Sequence, residues 1–159
     1  MLNDRKSLND HSFSVTIRRA KMNDIMYIFR IELLSFKDPY PIELLKSLMI
    51  MSQDMFLVAE INGNLIGYVV SLIRRGYICH ILSIAVHPNY RRRGIATKLM
   101  VSIEKEAKKH NAFLMRLEVR ASNCAAINLY KKLGFSESYI IPKYYRDGES
   151  AIVMFKLLK

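Results

Sequence analysis

HILSIAVHPNYRRRGIAT, residues His80 to Thr97, carries an alternating apolar run (Leu82, Ile84, Val86) into a proline, three arginines and a turn at Gly94. Beyond the glycine an amphipathic pattern opens. The order reads as a strand that delivers its end to the N terminus of a helix, where unpaired backbone N–H groups and the helix dipole attract anions. With Arg91, Arg92 and Arg93 beside it, this junction is expected to seat a phosphate or pyrophosphate.

Working outward, Ile95, Leu99, Ile103 and Ala107 fall on one helical face, opposite Thr97, Glu104, Lys105 and Lys108. Upstream, three strand candidates span Met55 to Ile61, Leu65 to Arg74 and Tyr77 to Val86. Asn62-Gly63-Asn64 signals a hairpin between the first two, and Arg75-Gly76 turns the chain between the second and third. Before them, Phe13 to Arg19 alternates as a half-buried strand, and Ile25, Ile28, Phe29 and Leu33 recur at helical spacing over about Asn23 to Ser35. The prolines of Lys37-Asp38-Pro39-Tyr40-Pro41 end that helix, and a second runs from Ile42 to Met51. Downstream, Phe113 to Arg120 alternates, Ser122 or Asn123 can cap a helix that stops at Gly134, and strands follow near Phe135 to Ile141 and Ala151 to Leu158. The order β-α-α-β-β-β-α-β-α-β-β predicts an α+β mixed-sheet fold: one domain over residues 13–159, preceded by a polar, flexible arm over residues 1–12.

The chain has 159 residues, 51% of them hydrophobic, enough for a sizeable core. Its apolar runs are too short for a membrane span and its first residues lack a signal-type segment, so a cytoplasmic protein without membrane contact is expected. Cys79 and Cys124 lie far apart with no CxxC spacing, which points away from zinc and disulfides and toward two small buried hydrophobes. The net charge of +11 calls for anionic partners. Seven Lys/Arg against two Glu between Arg91 and Lys109 concentrate that charge at the phosphate seat.

Arg91-Arg92-Arg93-Gly94-Ile95-Ala96 resembles the (Q/R)xxGx(G/A) acetyl-CoA signature of the GNAT acetyltransferases. Three further segments are similar to the RimI and archaeal NatA-type N-terminal acetyltransferases. They are Leu117 to Asn123 continuing through Ala126, Tyr130 and Phe135, then Asp38-Pro39-Tyr40-Pro41, and Tyr144-Tyr145-Arg146-Asp147-Gly148-Glu149. The resemblance implies a three-layer α/β/α fold with a mostly antiparallel seven-stranded sheet and four helices, acetyl-CoA lying between the fourth and fifth strands. It further implies that Ile84, Ala85 and Val86 line the pantetheine, that Arg91 to Thr97 (Arg91, Arg92, Arg93, Gly94, Ile95, Ala96, Thr97) hold the pyrophosphate, and that Asn123, Ala126, Tyr130 and Lys132 border the cofactor. No metal is implied.

Three side chains are expected to carry the chemistry. By resemblance Tyr130 stands beside the cofactor sulfur, where its hydroxyl can hydrogen-bond the departing thiolate, and the amide of Val86 faces the carbonyl oxygen. Glu118 and His80 are the candidates for taking the amine proton. A carboxylate of ordinary pKa is a weak base for an ammonium, so Glu118 is expected to act through a water or with a raised pKa, whereas His80 is better matched. Asp38, Tyr40, Tyr144 and Tyr145 come from two loops that the resemblance folds over the acceptor peptide, with Glu118 at its end. His11, His87 and His110 receive no role.

The expected function is acetyl transfer to the α-amino group of protein N termini of Ser, Ala or Met type, with ribosomal proteins among the substrates. The expected protein is a monomer or weak dimer, with ribosome contact fitting its charge. Protein lysine acetylation is the alternative, followed by a small amine. A nucleic-acid-binding module ranks lower, because the basic residues form no helix-turn-helix, zinc-finger or aromatic-basic pattern.

Overall fold

A computed structural model describes residues 14–159. The arm over residues 1–12 and Phe13 lie outside the described residues. Seven strands form one sheet in the order β1-β2-β3-β4-β5-β7-β6. They are β1 (Thr16–Arg19), β2 (Phe56–Ile61), β3 (Asn64–Arg74), β4 (Ile78–Val86), β5 (Leu114–Arg120), β6 (Ser136–Ile141) and β7 (Ala151–Leu157). Every neighbouring pair is antiparallel except β4 and β5. The helices are α1 (Ile25–Ser35), α2 (Ile42–Ser52), α3 (Ile95–Lys109) and α4 (Cys124–Lys132). The seven strands and four helices match expectation, with ends moved by one to three residues; the first helical turn, Met22–Asp24, is a 3-10 turn.

Local chemistry explains the boundaries. Asn62 and Gly63 both have positive φ, +50° and +77°, the two-residue turn that suits strand twist and joins β2 to β3. Asn123 caps α4, its side-chain oxygen accepting from the Ala126 amide at 3.2 Å, and Gly134 follows that helix at φ +92°.

The sheet separates two cores. On one face Leu57, Val69, Cys79, Ile81, Met115 and Leu117 pack with Ile95, Leu99 and Ile103 of α3 and with Ile127 and Tyr130 of α4. On the other, Val58, Tyr68, Val70 and Leu72 pack with Ile28 and Ile31 of α1 and Leu45 and Leu48 of α2. The alternation of β5 therefore places Met115, Leu117 and Val119 against α3 and α4, and turns Arg116, Glu118 and Arg120 toward α1 and α2. Of the two cysteines only Cys79 is buried; Cys124 is exposed, because it occupies the first turn of α4 on the solvent side. No helix among the described residues is long and apolar enough to cross a membrane.

Gly67 in β3 sits where α3 crosses the sheet, and a Cβ there would meet the Ala85 carbonyl at 3.0 Å and Leu99 Cδ1 at 3.3 Å. Gly67→Ala is expected to lower stability by about 1–3 kcal/mol through overpacking, read as a lower urea midpoint, because backbone on one side and a core leucine on the other leave little room to yield.

Candidate active site

β4 and β5 pair over only three positions, Ile78↔Leu114, Cys79↔Met115 and His80↔Arg116. They then diverge. On the other edge of β4, Val70 faces Ser83 while Ser71 faces Ile81, which leaves Leu82 without a partner on β3. Such a bulge bends its strand and increases local twist, and it lies where the two parallel strands part. The gap holds a cavity of about 360 Å³ lined by β4 from Ile81 to Ile84, β5 from Leu117 to Arg120, Asn123, Ala126 and Tyr130 of α4, Glu32, Phe36, Asp38 and Tyr40 from α1 and the loop after it, and Tyr145.

Glu118 forms part of the wall. Its Oε2 lies 2.6 Å from His80 Nε2, and its Oε1 accepts from Arg116 Nε at 2.8 Å. Only 8% of the Glu118 side chain and 19% of the His80 side chain are exposed. Burial by itself would raise the Glu118 carboxyl, but the hydrogen bond from His80 and the charges of His80 and Arg116 together hold it below the ordinary value. Of the two routes expected for Glu118, a water or a raised pKa, this lowering argues against the second, because a donor on the neighbouring strand outweighs burial. An ionised carboxylate only accepts, so the proton between the two is carried by His80 Nε2.

Across the cavity, burial raises the Tyr130 phenol well above its ordinary value, with the Tyr145 ring adding to the shift. Tyr130 therefore keeps its proton at any working pH. Tyr40 is likewise raised, to about 12, chiefly by burial, and donates its hydroxyl to the Leu82 carbonyl at 3.1 Å. Tyr144 packs edge-on against Tyr145, with ring centroids 5.0 Å apart.

The phosphate seat lies beyond the far end of β4. Gly94 adopts φ +75° with open space around it, so conformation rather than packing calls for glycine. It precedes α3, whose N terminus has no side-chain cap, leaving first-turn amides at Ile95, Ala96 and Thr97 to meet an anion. The three arginines are not equivalent. Arg91 turns back, donating from Nε to the Val86 carbonyl at 2.9 Å and from Nη2 to Ser35 Oγ at 3.2 Å; Arg93 lies over the Tyr90 ring at 5.4 Å; Arg92, at φ +64°, shapes the turn. An uncapped helix N terminus flanked by exposed cations suits a pyrophosphate, and β4, whose Ile81 to Ile84 line the cavity, ends at Val86 just before this loop. Of the residues expected at the reaction centre, His80, Ala85, Val86, Lys132 and Tyr144 do not line that cavity; His80 reaches it only through its hydrogen bond to Glu118, and Tyr144 only through its packing on Tyr145.

Two residues without an assigned role prove central to the geometry. The Arg120 guanidinium stacks 3.9 Å from the Tyr145 ring centroid and pairs with Asp147 at 2.9 Å, Glu149 at 2.8 Å and Asp38 at 3.4 Å, so Asp38 is engaged in an ion pair that joins the two acceptor loops. Glu32, 2% exposed, accepts from the Tyr40 amide at 2.8 Å and from the Tyr68 hydroxyl. A signal for Glu32 exists in the sequence: it stands four residues after Ile28, on the apolar face of its helix. Arg120 has none, since its partners lie 27 and 82 positions away.

Burial raises Glu32 to about 7, against hydrogen bonds from the Tyr40 amide and Ser83 that lower it. Between its ordinary 4.5 and that value the folded chain binds more protons than the unfolded chain, so the contribution of Glu32 to stability is complete below pH 4.5 and lost as pH rises through about 7. Urea midpoints measured at pH 5 and pH 8 are expected to fall less in Glu32→Gln than in the unaltered protein.

Residues 23–135 match the acetyltransferase (GNAT) family. An N-alpha-acetyltransferase of Sulfurisphaera tokodaii is 39% identical over 150 residues, covering 87% of this chain and 90% of the relative. The catalytic subunit NAA10 of the N-terminal acetyltransferase A complex of Arabidopsis thaliana is 34% identical, over 91% of this chain and 79% of its own. The crystal structure of Ard1 from Thermoplasma volcanium superposes with a TM-score of 0.89 at 31% identity, covering 91% of this chain and 98% of the other.

Proposed function

Since the chain belongs to the GNAT acetyltransferase family, we propose that it transfers the acetyl group of acetyl-CoA to the α-amino group of protein N termini. The observation that carries this reading is Glu118 in the wall of the cavity where β4 and β5 part, hydrogen-bonded to His80 at the last paired position of β4, in a chain 39% identical to a protein named N-alpha-acetyltransferase. Acceptor chemistry supports it over lysine. An α-amine of pKa near 8 is about 10% neutral at pH 7, whereas a lysine near 10.4 is neutral only about 0.04% of the time, so a site with one His–carboxylate pair serves the α-amine better.

Acetyl-CoA enters with its pyrophosphate on the first turn of α3, beside Arg92 and Arg93, and its thioester in the cavity. The acceptor amine gives up a proton, through water, to His80 Nδ1, and the Glu118 carboxylate stabilises the imidazolium while holding the ring. The amine lone pair then forms the C–N bond at the thioester carbonyl. As the tetrahedral intermediate collapses, the C–S bond breaks and its electron pair goes to sulfur, and the extra proton on the new C–N nitrogen passes through water to the thiolate, giving the amide and the free thiol. Tyr130 faces that sulfur. With its phenol raised above its ordinary range by burial, it is a weaker acid than the leaving thiol, so its contribution is a hydrogen bond to the thiolate rather than outright proton transfer.

Within the family we place the chain with the NatA-type catalytic subunits, and read Ser, Ala and Met-type N termini of ribosomal and other proteins as its substrates in the cytoplasm. The relationship to NAA10 supports the first statement, and a net charge of +11 supports work beside the ribosome. Residues 13–159 are read as one catalytic domain carrying an N-terminal arm.

With acetyl-CoA, purified protein is expected to acetylate short peptides beginning Ser, Ala, Met-Leu or Met-Glu and to spare an N-blocked lysine peptide, scored by mass spectrometry; modification of the lysine peptide alone would overturn the reading. Tyr130→Phe should lower kcat about 10- to 100-fold, the worth of one hydrogen bond to a charged group. Glu118→Gln should lower it about 100-fold with little change in acetyl-CoA affinity.

A further inference from the structure

Glu32 lies on α1, below the loop that separates α1 from α2, and it is buried where an unpartnered carboxylate would be costly. Its partners account for both oxygens. Oε1 accepts from the backbone amide of Tyr40 at 2.8 Å. Oε2 accepts from the Tyr68 hydroxyl of β3 and, at 3.4 Å, from the Ser83 hydroxyl of β4. Tyr68 and Ser83 also bond each other at 2.8 Å.

Ser83 immediately follows Leu82, the residue that β3 leaves unpaired. The Leu82 carbonyl takes the Tyr40 hydroxyl instead. Tyr40 is thus held at two points, its amide by Glu32 and its hydroxyl by the bulge, and Glu32 is in turn held by the residue beside that bulge. Both the loop and the bulge line the cavity. A closed ring of hydrogen bonds between two lining segments fixes their spacing, because no member can move without stranding a buried donor.

We propose that Glu32 is a positioning residue for the acceptor, its two carboxylate oxygens fastening the Tyr40 loop to the β4 bulge and so setting the width of the slot that receives the first residue of the substrate. This rests on the functional reading above. The expected phosphate seat follows the C-terminal end of β4 and contributes no member to the ring, so the device is read as acting on the acceptor rather than on acetyl-CoA. A neutral amide of the same shape can still accept from the Tyr40 amide and donate to the Tyr68 oxygen, so glutamine preserves the ring.

Steady-state kinetics with a Ser- or Ala-initiated peptide and acetyl-CoA test this. Glu32→Ala is expected to raise the peptide KM by about tenfold or more, from the loss of bonds to a charged group, while the acetyl-CoA KM stays within about twofold; Glu32→Gln should bring the peptide KM back to within about threefold of the unaltered protein. Tyr68→Phe, which removes one donor and keeps the fold's bulk, should show the same split at smaller amplitude, and it decides the matter if the alanine variant fails to fold. An unchanged peptide KM, an equal rise in both KM values, or a Gln variant no better than Ala would overturn the assignment of Glu32. Failure of the unaltered protein to acetylate either peptide would instead overturn the functional reading.

Discussion

The molecule turns on an interrupted pairing. A parallel ladder between β4 and β5 begins at Ile78 and stops at His80, and two positions later β4 carries an unpaired residue on its other edge. Had the ladder continued, the sheet would be closed and the α1–α2 face would meet β4 and β5 as an unbroken wall. Its interruption costs backbone hydrogen bonds and leaves polar groups facing a cavity, a cost tolerable only where a ligand or a side chain meets them. Tyr40 meets one of them by donating to the Leu82 carbonyl.

The same interruption sorts the charges. His80 is the last residue of β4 to face β5, and Glu118 stands two residues beyond its partner Arg116, so the pair forms at the mouth of the split, with Arg116 on the outer oxygen. Burial pulls the Glu118 carboxyl up and its neighbours pull it down; the neighbours prevail. Glu32, buried without a cation beside it, goes the other way, to about 7. One cavity thus holds one carboxylate kept ionised by its donors and one whose charge its surroundings oppose.

The loops around the cavity are joined by ion pairs that span the chain. Arg120 connects the α1–α2 loop through Asp38 to the β6–β7 hairpin through Asp147 and Glu149, with Tyr145 beneath its guanidinium. Three carboxylates gather on Arg120 at this rim, with Lys37 3.8 Å from Asp147, whereas the N terminus of α3 follows three exposed arginines with no carboxylate paired to them among the described residues.

The periodic elements were legible in the residues alone, because amphipathic spacing and the turn chemistry of Asn62-Gly63, Gly94 and Gly134 are local properties. So was the uncapped, arginine-flanked N terminus of α3, whose parts are contiguous. Family resemblance singled out His80, Glu118 and Tyr130, but not the 2.6 Å contact between the first two or the lowered Glu118 carboxyl, since those depend on where β4 and β5 stop pairing. Glu32 and Arg120 escaped for the same reason: what each does is set by partners brought near only by the fold. Cys124 shows the converse, a residue type that usually packs inside being left at the surface by the first turn of α4. Sequence by itself determined the elements and the uncapped, arginine-flanked start of α3, which short-range sterics and hydrogen bonding specify; tertiary structure alone decided the pairings and the lining of the cavity, because these are energies between groups far apart in the chain.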